Sequence, residues 1–393
     1  MIGWDLILEY ALQAATGVRR MERLFQQAAR RFGLHLPVEL TAAYGTNPNT
    51  TTYFNLPGFV IVLLITWVLS IGINQTKKAN DIMVLIKLAI IVLFIVCVIW
   101  YVNPSNWKPF APYGIYQFQP GSTQPYGIVP AASIVFFSFI GFDAVSSSAE
   151  ETVNPNRTLP RGILYSLVIS TILYIVMTLI MTGVVPYEQF AQFIDAPVAG
   201  VILKTGMNWL AVIVNLGALI GMTTVMLVQL YGQSRICYAM SRDGLFPKFF
   251  GDVHDKYRTP FKGTWFFGLL TAFAGGFINI NVLFELVNIG TLSAFIIVSA
   301  GILWMRKTQP NAPRGFRAPG VPVTPILAIV FCFVLIAGLN WETWVRFAVW
   351  FGLGLIVYFG YSRKRSKLAL SRRPGLTPSH CGLRTESIAD RIV

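Results

Sequence analysis

The stretch FFSFIGFDAVSSSAEE, residues 136–151, decides how the chain is read: an apolar run of spanning character dissolves into Gly141, Asp143 and three consecutive serines where a membrane helix should have its middle. In hydrocarbon no water is present to satisfy freed backbone groups. A break at that depth is therefore tolerated only where it is buried in protein or lines a water-filled cavity. Phe137, Ser138, Phe139 and Ile140 are the residues expected to unwind, and Gly141 supplies dihedrals that a side chain would resist. The plainer reading is a Gly/Ser kink packed against neighbouring helices.

The rest of the chain supplies the membrane. Of its 393 residues, 54% are hydrophobic and 12% charged, and the mean hydropathy is +0.59. Windows of about 20 residues, the length that crosses a bilayer, mark nine spans at 57–74, 82–102, 126–146, 160–185, 208–232, 263–281, 283–305, 322–339 and 343–361. A tenth segment, 2–33, carries charges that a span does not want. The fold class is an all-α polytopic membrane protein. Residues 1–365 form its membrane domain, and 366–393 a disordered tail.

The net charge of +14 raises the question of nucleic acid, and the placement of the basic residues answers it. Lys and Arg concentrate in NQTKKAND, NPNRTLPR, SRDGLFPKFFGDVHDKYRTPFKG, RKTQPNAPRGFRAPG and SRKRSK, while the alternate connections carry few. The positive-inside rule puts the first set and the C-terminus in the cytoplasm of a cell-membrane protein. The charge is topological, and no basic face interleaved with aromatics suggests nucleic acid.

One basic segment fits neither side. RRMERLFQQAARR, residues 19–31, places five arginines where a helix should finish in hydrocarbon, at about 2.5–3.5 kcal/mol for each charge at the bilayer centre. A frameshift is one explanation: reading one base later through the single Met codon forces a Trp and allows an apolar helix end. An amphipathic helix lying in the interface is the other.

Chemistry-bearing residues are few. Lys87 stands in IMVLIKLAIIVLFIVCVIW with apolar residues on both sides. Desolvation opposes an ammonium there, so such a lysine can give up and regain a proton, and an intramembrane ionisable group is a functional candidate by default. Its alternative is snorkelling to the interface. Arg235 and Arg242 in GQSRICYAMSRDGLFP, with Glu150 and Glu151 past the break, form a candidate cytoplasmic gate. Asp5 and Glu9 share a helix face, and Asp143 and Glu285 read as structural polar pairs. Cys97, Cys237, Cys332 and Cys381 stand singly, and His35, His254 and His380 lie in loops or tail. No metal site, disulfide framework or cofactor follows. There is no G-x-x-x-x-G-K-[ST] loop for nucleotide either, and nothing points to an enzyme.

FFSFIGFDAVSSSAEETVNPNRTLPRGI and GQSRICYAMSRDGLFP resemble the amino acid, polyamine and organocation superfamily, in particular its bacterial cationic-amino-acid-transporter-like permeases. The resemblance implies two inverted five-helix repeats followed by two extra helices. It also implies substrate held at the unwound first and sixth helices and transport by alternating access. The spans here match helices three to twelve, so about ten are present and the first two have no counterpart. Phe137, Ser138, Phe139, Ile140 and Gly141 are then the substrate segment. Lys87 falls where proton-coupled relatives carry a lysine in place of sodium, which implies proton symport. The expected partners are an amino acid, a proton and the lipid bilayer; neutral substrates fit better than cationic ones, since Asp143 is the one acidic side chain near the break. A non-transporting product, or a membrane receptor or sensor, is the alternative.

Overall fold

The computed structural model describes residues 2–31, 37–40, 52–71, 74–117, 126–147, 152–193, 196–257, 259–278, 280–311 and 316–366. Its elements are α1 (Ile2–Arg31), α2 (Leu56–Ile71), α3 (Asn74–Val98), α4 (Ile128–Val135), α5 (Ala144–Ser147), α6 (Pro155–Val184), α7 (Pro197–Lys204), α8 (Asn208–Arg242), α9 (Phe261–Phe277), α10 (Ile280–Thr308), α11 (Val323–Ala337) and α12 (Trp341–Val357). Among the described residues there is no strand, and one isolated bridge pairs Gln117 with Tyr126. Among the described residues six helical segments are long and apolar enough to cross a membrane, and α2 and α11 are shorter apolar helices.

Solvent-type logic is inverted. Leu164, Val168, Ile172 and Phe331 are among many large apolar side chains on the outside, whereas Asp5, Glu9, Gln13, Thr66, Gln229, Gln233 and Thr291 are buried. An apolar rim of that extent is stable only against lipid, and buried polar groups then hold helices together from within.

The segment with the least span-like sequence sits at the centre. α1 packs against α8, α10, α9 and α2. Tyr10 and Ala14 are fully buried, and Ala14 joins Val62, Ile65, Met226, Leu230 and Ala272 in one core cluster. A second cluster gathers α3, α6, α7 and α8 around Phe94, Ile180, Ile202 and Leu210. A third seats Ile140 of the break among Leu12, Ala15, Leu283 and Val287 of α1 and α10. The helix continues through the arginine-rich stretch to Arg31, and the side chains of 19–31 lie outside the described residues.

Most expected spans fall within a few residues of the observed helices. The largest difference is α8, which runs on through Arg242 where the sequence suggested an end near 232. Gly232 alone costs a helix only about 1 kcal/mol. The strong breakers, Gly244 at φ +77 and Pro247, come later.

Candidate functional site

The helix that opens at Ile128 stops at Val135 and tightens into a 3-10 turn at Phe136–Phe139. Ile140 is then extended at φ −63, ψ 136, and Gly141 sits at φ +114, where a Cβ would be strained. Helix resumes only at Ala144. The break read from the sequence is thus real backbone geometry.

Two side chains from other helices occupy the carbonyls it frees. Gln13 of α1 donates through Nε2 to the Ile140 carbonyl at 3.1 Å, and the Tyr174 hydroxyl of α6 donates to the Ser138 carbonyl at 2.7 Å. Asp143 closes the turn from below: its Oδ1 accepts from the Gly141 amide at 3.3 Å, and its Oδ2 accepts from the Tyr10 hydroxyl at 3.4 Å.

Against this segment lies a cavity of 540 Å³, within the usual range for small-molecule sites. Phe137, Ser138, Ile140 and Gly141 line it, and Lys87 of α3 lines the same space. Phe139 does not. Residues three apart eclipse in a 3-10 turn, so Phe137 and Ile140 share the cavity side while the Phe139 ring turns to meet Tyr174 edge-on, 5.2 Å between centroids. Phe137 in turn meets Phe284 of α10 edge-on at 4.5 Å. An adjoining apolar cavity of 310 Å³ shares Lys87, Met222 and Val225. The stem of Lys87 lies along bare backbone of α8, because a Cβ on Gly221 would come within 3.0 Å of its Cδ.

The polar lining is neutral apart from that lysine. Among the described residues no carboxylate lines the larger cavity. Gln13, Asn80 and Gln229 line it, and each carries a buried amide oxygen with no donor. Such orphaned acceptors are uncommon in native interiors, and three of them converge on one space.

Of the expected gate only the two arginines fall among the described residues. Glu150 and Glu151 lie outside the described residues. Arg235 and Arg242 stand on α8 rather than in a loop, with the Arg235 guanidinium 5.2 Å from the Tyr231 ring centre. Glu285 is a structural pair as expected: it accepts from Asn340 at 3.0 Å and from Thr343, tying α10 to the start of α12. No group of three or more His, Cys, Asp or Glu that could hold a metal occurs among the described residues. Sequence reasoning missed Gln13, Tyr174 and Gln229. The available signal was their position, each a polar side chain inside an apolar run.

Comparison with known proteins settles the ancestry. The amino acid permease family matches residues 38–360. The chain belongs to the amino acid permease family. A branched-chain amino acid permease of Bacillus subtilis is 52% identical over 368 residues, covering 94% of this chain and 77% of that protein. A methylthioribose transporter of the same organism is 42% identical with the same coverage. A chloroplastic cationic amino acid transporter of Arabidopsis thaliana is 29% identical, covering 79% of this chain and 64% of that protein. Like its relatives in the family, this permease is a multi-pass membrane protein and a transporter, not an enzyme.

Proposed function

We propose that the chain is a secondary active carrier of neutral amino acids with compact apolar side chains, branched-chain ones first. It works by alternating access in the cell membrane, with the proton as coupling ion and the C-terminus in the cytoplasm. The observation that carries this reading is the 540 Å³ cavity, in which broken backbone, Lys87 and three orphaned amide oxygens meet. An ammonium brings three N–H donors, and Gln13, Asn80 and Gln229 offer three acceptors. Phe137, Ile140, Val84 and Phe284 provide apolar wall for a side chain. A cationic side chain would enter a space whose one charged lining group, among the described residues, is itself a lysine. The 52%-identical relative from Bacillus subtilis, a branched-chain amino acid permease, points the same way.

Lys87 is the coupling group in this reading. Its stem is fixed against Gly221, and its head shares the cavity with the break. Its protonation state therefore biases which arrangement of the unwound segment is favoured, and an equilibrium shifts only by such differential interaction. The inverted five-plus-five repeat, and the single membrane domain of residues 1–365 with a cytoplasmic tail, belong to the same reading.

The test uses Lys87→Ala in proteoliposomes. Leucine uptake driven by an inside-alkaline pH gradient is expected to fall to background, while equilibrium leucine binding partly survives. Uptake that keeps its pH dependence removes Lys87 from the mechanism. Competition by arginine as strong as by leucine removes the neutral-substrate assignment.

A further inference from the structure

A third cavity, of 500 Å³, lies between the first turns of α1, the segment joining α8 to α9, the middle of α9, and the end of α12. Trp4, Phe250, Phe267, Trp350, Ile356 and Tyr361 stand in its wall, and among the described residues no charged or amide side chain does. Ile356 is 69% exposed, and Phe266 and Leu270 of the same wall are also exposed, so the slot opens sideways where the outer surface is apolar. Along α12 and the turn Tyr358–Ser362 that follows it, the wall extends from Trp350 to Tyr361. That stretch is about 16 Å long at 1.5 Å per residue, close to half of the roughly 30 Å hydrocarbon core. The slot therefore has the depth of one leaflet.

Its mouth is basic. Lys248 follows the lining residue Pro247 directly in the chain, Arg363 and Arg365 follow the lining residue Tyr361 by two and four positions, and all three are exposed. The Arg365 guanidinium lies 4.6 Å from the centre of the Tyr361 ring and donates to its hydroxyl at 3.2 Å, and Arg363 lies 5.9 Å from the centre of the Phe359 ring. Lys262 is taken by Asp252 at 3.1 Å, whereas among the described residues no carboxylate pairs with Lys248, Arg363 or Arg365. Aromatic rings hold the two arginines in place without neutralising them.

We propose that this slot binds an anionic phospholipid of the cytoplasmic leaflet, one acyl chain filling the apolar groove and the phosphate held by Arg363, Arg365 and Lys248. The assignment rests on the cytoplasmic orientation argued above. An apolar void in hydrocarbon leaves its lining without contact partners, and an acyl chain supplies them at the right depth. Basic clusters at the cytoplasmic ends of membrane helices recognise anionic headgroups, which selects phosphatidylglycerol over phosphatidylcholine. The bound chain would lie against Trp4 and Ile7, on the same helix whose Gln13 holds the Ile140 carbonyl.

Native mass spectrometry of the purified chain, released from micelles containing equal phosphatidylglycerol and phosphatidylcholine, tests this without any transport readout. It therefore stays informative even if the carrier reading fails. Wild type is expected to retain phosphatidylglycerol selectively, and Arg363→Gln with Arg365→Gln to lower that retention about fivefold for each arginine removed. Gly360 lines the slot and a Cβ there meets open space, so Gly360→Trp is expected to fold and to abolish selective retention, with Ile356→Trp as the second filling variant. Equal retention of the two lipids by wild type, or unchanged selectivity in the double arginine variant or in both filling variants, overturns the proposal.

Discussion

Replacing Gln13 by Leu isolates the contribution of one hydrogen bond to the unwound segment. The two side chains are close in size, so packing in α1 is largely kept while the donor to the Ile140 carbonyl, 3.1 Å away, is lost. Ile140 is buried against Leu12, Ala15 and Val287, and water cannot readily replace the lost N–H. Leaving a buried carbonyl unsatisfied costs about 1–3 kcal/mol, which is about 5- to 150-fold in a local opening equilibrium. The reporters are the amides of Ile140, Gly141 and Ala144, which bond to Phe137, to Asp143 and to Gly141 across the break. Hydrogen exchange followed by mass spectrometry should show these amides exchanging faster by that factor, with α2 and α11 unchanged. Tyr174→Phe removes the other tie, a more exposed one, and should accelerate exchange only about 2- to 10-fold, the net worth of an ordinary hydrogen bond. Because both ties hold carbonyls of one short segment, the double variant should depart from additivity by at least about 0.5 kcal/mol. Exchange within twofold of wild type in Gln13→Leu would show that the segment holds its shape without α1.

Gly141→Ala places a side chain at φ +114 beside the amides of Gln229 and Gln13, and should lower stability by about 1–3 kcal/mol, read as a melting shift in detergent together with lost leucine binding. Asp5→Asn should leave the melting temperature unchanged or raise it, because Asp5 is fully buried with both carboxyl oxygens unpartnered and a buried charge without a partner costs several kcal/mol; a fall of several degrees would mean that the carboxylate has a role in the folded state. Phe284→Ala removes the ring set edge-on to Phe137, worth about 0.5–1.5 kcal/mol beyond its area, and should shift preference from valine toward larger apolar substrates in a competition assay.

Local signals carried far in this chain. The break was legible because Gly141, Asp143 and the serines are wrong for an uninterrupted hydrophobic helix, and Lys87 was legible because nothing near it in sequence is polar. Both are statements about a residue and its chain neighbours. What stayed hidden was long-range. Gln13 meets Ile140 across 127 positions, and Ser133 of α4 donates to the Leu335 carbonyl across 202. No window of about 20 residues contains such a pair. α1 is where hydropathy says least, because a scan penalises charged groups such as Asp5 and Glu9 by taking lipid as the surroundings. Those groups face protein instead, in a helix enclosed by α2, α8, α9 and α10. Hydropathy identifies helices that face lipid; it undervalues a helix whose described side chains are enclosed by others.

The same inversion explains why the site could form at the break. A helix in the lipid-facing ring must satisfy its own backbone, because lipid offers no donors. A helix beside α1 need not, since α1 presents amide side chains at bilayer depth. Gln13 takes the Ile140 carbonyl, Tyr10 takes Asp143, and from α8 the Gln229 amide lies 3.5 Å from where a Cβ of Gly141 would stand. The Gln13–Ile140 tie, like the Tyr174–Ser138 one, is a neutral hydrogen bond worth about 1 kcal/mol net, strong enough in sum to hold one shape and weak enough singly to be exchanged for a ligand. Charged ties would lock the segment, since breaking a buried ion pair costs about 3–5 kcal/mol. Among the described residues the one charged group lining the cavity, Lys87, comes from α3. In the proposed carrier, neutral ties at the break and a lysine lining the same cavity would let substrate and proton act on one segment through separate contacts, as coupling between two ligands requires.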